Sequence, residues 1–199
     1  MKKTLIVALV SIILLGACGS APANKTQYYL LNSPTATGAV NTDNRHNNNR
    51  QPLGITLLAL PDYLRQPSLV LQLSSHQLHY SHFHMWAEPL QNSFTQALAQ
   101  DLNNIDSHFH YIVTPVKNQA TAATAVVINI TAFHATHQSQ ALLSGTYWLP
   151  DKNGKNPGKA HNFTLTVALN ENGYEHAVEQ MRKVITSLAQ KITDSLVVE

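Results

Sequence analysis

Phe163-Thr164-Leu165-Thr166-Val167-Ala168 alternates apolar and small residues, and soon afterwards Ala177, Val178, Met181, Val184, Ile185, Leu188, Ala189, Ile192 and Leu196 recur at intervals of three and four. The first pattern has the period of a strand with one buried face. The second has the period of an amphipathic helix, starting near Gly173. Along the chain helices are few and separated by runs of strands, which sets the α+β class.

Working outward, Lys152-Asn153-Gly154-Lys155-Asn156-Pro157-Gly158-Lys159 reads as a hairpin tip between that strand and Ala141–Leu149. Ala125–Phe133 is a β-branched, buried strand, reached through a polar connection over Asn118–Thr124, and Tyr111-Ile112-Val113 is a short one. Leu90, Phe94, Ala97, Leu98 and Leu102 form one helical face. Before it, Pro89 suits the first turn and Glu88 complements the positive helix end. Leu69–Leu73 and His76–Phe83 form a hairpin with Ser74-Ser75 near the turn. Leu53–Leu60 is a strand ended by a segment with Pro61 and Pro67 at its sides, and Gln27–Leu31 is the first strand. Residues 32–52, rich in Asn and nearly devoid of core formers, read as a mobile loop inside the domain. The expected architecture is a mixed, mostly antiparallel sheet with two main helices packed on one face. No internal repeat is present.

The N-terminus has a different character. Met1-Lys2-Lys3-Thr4 is followed by an apolar run, Leu5 to Leu15, too short to span a bilayer. It ends in Leu15-Gly16-Ala17-Cys18, with the only cysteine of the chain. This is the layout of a secretory signal, and its end resembles the lipobox of bacterial lipoproteins. That implies a signal peptide at residues 1–17, an acylated Cys18 as the lipid anchor, a tether over 18–26 and a single domain over 27–199. One acyl chain holds a membrane only marginally, and several hold it firmly. Gly19, where an aspartate usually retains lipoproteins in the inner membrane, resembles the outer-membrane sorting case in a Gram-negative bacterium.

Composition narrows the chemistry. The 199 residues include only 12% charged side chains and carry a net charge of +2, which does not favour nucleic acid. An acylated Cys18 leaves no thiol for a disulfide, a nucleophile or a zinc ligand. Nucleophile-elbow, phosphate-loop and zinc-protease motifs are missing. No catalytic residue and no cofactor is expected. Asp62, between Pro61 and Tyr63, suits a turn; Glu175 and Glu179 suit a solvated helix face. His76, His79, His82 and His84 lie within nine residues. On a regular strand His76, His82 and His84 share a face, which makes them weak metal-ligand candidates; the plainer reading is that histidine supplies surface polarity. Trp86 and Trp148 suit the core. Of Tyr28 and Tyr29, which alternate in direction, one should be buried and the other available to a partner.

Three stretches in order, Tyr28-Tyr29-Leu30-Leu31, Leu60-Pro61-Asp62-Tyr63-Leu64 and Trp86-Ala87-Glu88-Pro89-Leu90, resemble the ABC-type transport auxiliary lipoproteins, the PqiC/YmbA-like family. Ile128–Phe133 and Ser144-Gly145-Thr146-Tyr147-Trp148 are similar to it too. The resemblance implies a lipoprotein on the periplasmic face of the outer membrane. It implies a non-enzymatic partner of a periplasmic MCE-domain protein in an intermembrane lipid transport system. A homo-oligomer is compatible with it. The competing readings are a metal-binding periplasmic lipoprotein and an assembly or pilot lipoprotein of another envelope complex.

Overall fold

The computed structural model describes residues 25–32, 50–115, 125–150 and 157–198. In chain order these form β1 (Gln27–Tyr29), β2 (Gln51–Ala59), a 3-10 turn (Asp62–Leu64), β3 (Ser68–Ser74), β4 (Gln77–Trp86) and α1 (Leu90–Ile105). Then follow β5 (Phe109–Val113), β6 (Ala125–Thr136), β7 (Gln140–Pro150), β8 (Pro157–Ala168) and α2 (Tyr174–Val198). The class is α+β, with one eight-stranded mixed sheet. The long ladders, β6 with β7 and β7 with β8, are antiparallel, as is β3 with β4. The pairings β1–β4, β2–β5, β2–β6 and β3–β6 are parallel.

The centre of the sheet is β6. One edge pairs with β7 along nearly its whole length. The other edge is shared: β2 takes Ala125–Asn129, and β3 meets it at Ala135. The two strands therefore lie in succession along one edge of β6, and Leu60–Pro67 is the interruption between them.

Both helices pack on the same side. In β7, Ala141, Leu143, Gly145, Tyr147 and Leu149 are buried, and the residues between them are partly open. Leu53, Ile55 and Leu57 of β2 and Val126, Ile128 and Ile130 of β6 join them. Against these lie Phe94, Leu98 and Leu102 of α1 and Met181, Val184, Ile185, Leu188 and Ile192 of α2. Burying each such side chain contributes about 1.5–3 kcal/mol before entropy is counted. The spacing of three and four is the cause: it places all of these on the sheet-facing side of each helix.

Several boundaries differ from the sequence reading. The first strand ends at Tyr29, and Leu31 turns inward to the core. Gln51 and Pro52 belong to β2 and not to the loop; residues 33–49 lie outside the described residues. Pro52 is tolerated because it pairs only with β5, at His110, and β6 joins the ladder from Gly54 onward. Pro89 stands one position before the first turn of α1. The connection at 116–124 and the hairpin tip at 151–156 also fall outside the described residues.

Candidate docking site

Among the described residues, the interruption between β2 and β3 leaves Thr131 of β6 with no ladder partner, while its hydroxyl lies 2.9 Å from that of Ser144 on β7. The β6–β7 register slips between Ile130 and Ala132, while β2 ends opposite Asn129 and β3 reaches only Ala135. The Tyr63 hydroxyl fills the gap and donates to the Thr131 carbonyl at 3.3 Å. Its ring meets the His134 ring edge-on, with centroids 5.9 Å apart. Burial raises the Tyr63 pKa, so the donor form is kept. Leu64 is buried beneath it. Asp62 is exposed and pairs with Arg65 across the turn at 3.2 Å, a surface contact of little energetic weight.

The same interruption gathers the other two stretches. Trp86 N–H donates to the Pro67 carbonyl at 2.7 Å, and Ala87 N–H donates to the Tyr29 carbonyl at 2.9 Å. Glu88 accepts from the Ser93 hydroxyl at 2.8 Å at the start of α1, and Trp86 is buried. Tyr28 and Tyr29 pair in parallel with Met85 and Trp86. Segments far apart in the chain thus meet at one end of the sheet. Leu60, Leu64, Pro67, Trp86 and Pro89 line a cavity of about 460 Å³ there.

β1 is the outermost strand at this end. Tyr29 turns toward α2: its hydroxyl lies 2.8 Å from His84 Nδ1, and His84 stacks on Tyr174 at 3.7 Å. Burial and the Glu175 charge raise the Tyr29 pKa. Tyr28 remains 69% exposed and Leu30 45% exposed. Beside them a groove of about 690 Å³ runs between β1 and α2, lined by Tyr28, Leu30, Val178, Glu175, Glu179 and Arg182. The Lys183 ammonium, 2.8 Å away, lowers the Glu179 pKa. Among the described residues the arrangement offers a strand edge with no partner, two apolar side chains and the exposed carboxylate of Glu175. Such a surface suits an extended segment added as a further strand. Sequence reasoning missed Tyr174 and Glu175 as parts of it, because only the fold returns the start of α2 to β1.

The histidines do not share a face. The β3–β4 register slips by several residues between Tyr80 and Met85, the Ser81 hydroxyl accepts from His84 N–H at 3.1 Å, and strand alternation is lost. His76 lies in the turn before β4, His82 is exposed, and His84 is engaged by Tyr29 and Tyr174. Among the described residues no three His, Cys, Asp or Glu side chains are gathered to hold a metal ion. Trp148 is only partly buried, opposite Val127. Cys18 and Gly19 lie outside the described residues. No described helix is long and apolar enough to cross a membrane.

Two solved structures share the fold. One, described as an uncharacterized protein, superposes with a TM-score of 0.68 at 20% identity over 86% of this chain and 99% of its own. The other, a Xanthomonas campestris protein assigned to a family of unknown function, gives 0.55 at 10% identity over 72% and 81%. No curated protein matches the sequence. The model of the family described as "ABC-type transport auxiliary lipoprotein component" matches residues 29–193, from the inward-turned tyrosine of β1 to the last turns of α2, and the chain is a member of that family.

Proposed function

We propose that this protein is a lipid-anchored, non-enzymatic auxiliary component of an intermembrane lipid transport system. It sits on the periplasmic face of the outer membrane and holds a periplasmic MCE-domain partner there. The observation that carries the reading is the β1 edge. It presents Tyr28 and Leu30 beside a groove that carries Glu175 on its rim, on a support built from the three stretches that resemble the family. Gln27 follows Cys18 by nine positions; fully extended, that tether reaches roughly 30 Å. A partner strand on β1 would therefore be held close to the anchoring membrane. The partner segment that fits is extended, apolar at alternate positions and basic where it passes Glu175.

The test uses the full-length lipoprotein co-expressed with each MCE-domain protein of its own genome. Tyr28→Glu combined with Leu30→Glu should abolish co-purification while the melting temperature stays within a few degrees of wild type. Capture at wild-type level by that variant would reject β1 as the docking edge. For the anchor, Cys18→Ala should lose fatty-acid labelling, and Gly19→Asp should move the protein to inner-membrane fractions. Unchanged labelling or sorting would reject the location.

A further inference from the structure

At the end of the sheet where β3 and β6 finish and α2 begins lies a cavity of about 440 Å³, a volume in the range of small-ligand sites. Its floor is apolar. Leu71 of β3 pairs with Ala135 of β6, and Leu169 and Ala177 lie beside them. One wall is the turn between β6 and β7, and the other is the segment that leads from β8 into α2. Hydrogen bonds fix both walls. Ser139 takes the left-handed conformation at φ 54°, and its carbonyl accepts from Leu169 N–H at 2.8 Å. Asn170 N–H donates to His176 Nε2 at 3.1 Å, and Gly173, at φ 119°, turns the chain into the helix. Walls ordered in advance lower the entropy that a ligand must lose to bind.

The lining decides what would fit. Among the described residues it contains no Lys or Arg, and its one carboxylate is that of Glu171, exposed at the rim. An anion would meet a like charge there and no guanidinium or ammonium group. A cation would meet the first turn of α2, which carries the positive end of the helix dipole. Gly173, just before the helix, has no side chain to cap its first amides, so these are donors suited to a ligand. Thr136, Ser139, Asn170 and Asn172 add hydroxyl and amide groups that both donate and accept. Half-buried Tyr174 adds an aromatic ring, held by its stack on His84. A wholly apolar ligand would strip water from these polar groups and return no hydrogen bond. A neutral, hydroxyl-rich molecule meets every condition. Its hydroxyls donate and accept, and its C–H faces suit the apolar floor and the ring.

We propose that this cavity is a saccharide-binding site. Glu171 accepts from sugar hydroxyls in charge-assisted bonds. The amides of Asn170, Asn172 and the start of α2 donate, and the floor takes the less polar face of a ring. Two sources share this chemistry, an acetamido sugar of the cell-wall type and a plain glucan. The site shares only Tyr174 with the β1 docking edge, and it does not depend on the partner proposed there.

The experiment uses the full-length protein in a detergent without a sugar headgroup. Saturation-transfer-difference NMR reads the binding of chitotriose and of maltotriose. At least one should give signals from its ring protons. Chitotriose alone would assign the acetamido source, maltotriose alone the glucan, and both the features common to the two. Glu171→Ala removes a charged acceptor and should weaken the titrated affinity about tenfold. Asn172→Trp, at an exposed position, fills the cavity and should abolish the signals while leaving the circular dichroism spectrum unchanged. Lys191→Ala, exposed on α2 and outside the cavity lining, should match wild type. Silence from both sugars would overturn the proposal. So would signals that persist undiminished in either Glu171→Ala or Asn172→Trp, because the sugar would then lie elsewhere. Neither change touches Tyr28 or Leu30, so loss of sugar binding and loss of partner capture are read separately.

Discussion

Arg182 on α2 grips Asp101 on α1 with both prongs of its guanidinium, at 2.5 and 2.6 Å. The Thr186 hydroxyl adds a third bond to the same carboxylate at 2.8 Å. The Asp101 side chain is 9% exposed and that of Arg182 is 24% exposed. The pair lies where the helices meet, and it fixes how they sit relative to one another more than how tightly they hold. Asp101→Ala should cost about 2–3 kcal/mol, because a mostly buried guanidinium is left alone. The double change Asp101→Leu with Arg182→Leu should cost less than either single change, since no unpaired charge remains. Urea denaturation of the three variants measures this; strictly additive costs would contradict it.

Leu188 is fully buried between α2 and the sheet, and Lys191, at the flank of the buried stripe of the same helix, is exposed. Leu188→Ala should therefore cost about 2–5 kcal/mol, and Lys191→Ala less than about 0.5 kcal/mol. Equal denaturation midpoints for the two variants would remove α2 from the core.

At Gly145 the β7 backbone passes so close to β6 that an added Cβ would lie 2.1 Å from the Asn129 carbonyl oxygen. Backbone cannot rotate away as a side chain can. Gly145→Ala should force the two central strands apart and cost at least about 3 kcal/mol, at the severe end for a single substitution. A melting temperature within about 2 °C of wild type would show that the strands give way more easily than this contact implies.

His134 is buried, and burial holds its pKa below the usual histidine value. Among the described residues its Nε2 has no partner to stabilise a proton. The unfolded chain takes up a proton near pH 6.5, while the folded chain does so only at lower pH. The unfolded state therefore binds more protons in the window between the two values. Stability should be complete above that window and fall as the pH drops through it, by up to about 1.4 kcal/mol per pH unit from this residue. Comparing wild type with His134→Phe by denaturation from about pH 7.5 to 5.5 isolates its share. An identical slope in both proteins would assign the pH dependence to other histidines.

Much of the fold is legible in the sequence because periodicity reports which face of an element is buried. The change from period two at Phe163–Ala168 to the helical spacing of Ala177–Leu196 identifies β8, α2 and the face that α2 buries. Periodicity does not report neighbours. Nothing in Leu53–Leu60 or Leu69–Leu73 says that both strands pair with one edge of β6, because that depends on residues far along the chain. Regular alternation also hides slips: the same-face expectation for His76, His82 and His84 fails where β4 bulges at Ser81–His84. Pro61, Asp62 and Tyr63 are legible as a break. The role of the Tyr63 hydroxyl is not, because it answers a gap at Thr131 that exists only once three strands have assembled.

The shared edge of β6 also bears on the order of folding. β6, β7, β8 and α2 are consecutive in the chain, and their pairings close short loops. β2 must find a partner far downstream, since Gly54 pairs with Ala125. Distant pairings lose more loop entropy before any contact forms, and they form late. In a chain that emerges N-terminus first, the segments of β2 and β3 must wait for β6, with their apolar faces uncovered in the meantime. Pulsed hydrogen exchange during refolding should protect amides of β7, β8 and α2 before those of β2 and β5; the reverse order would contradict this. The first half of the molecule is thus the part most in need of a holding chaperone, although it carries the residues proposed to anchor and dock.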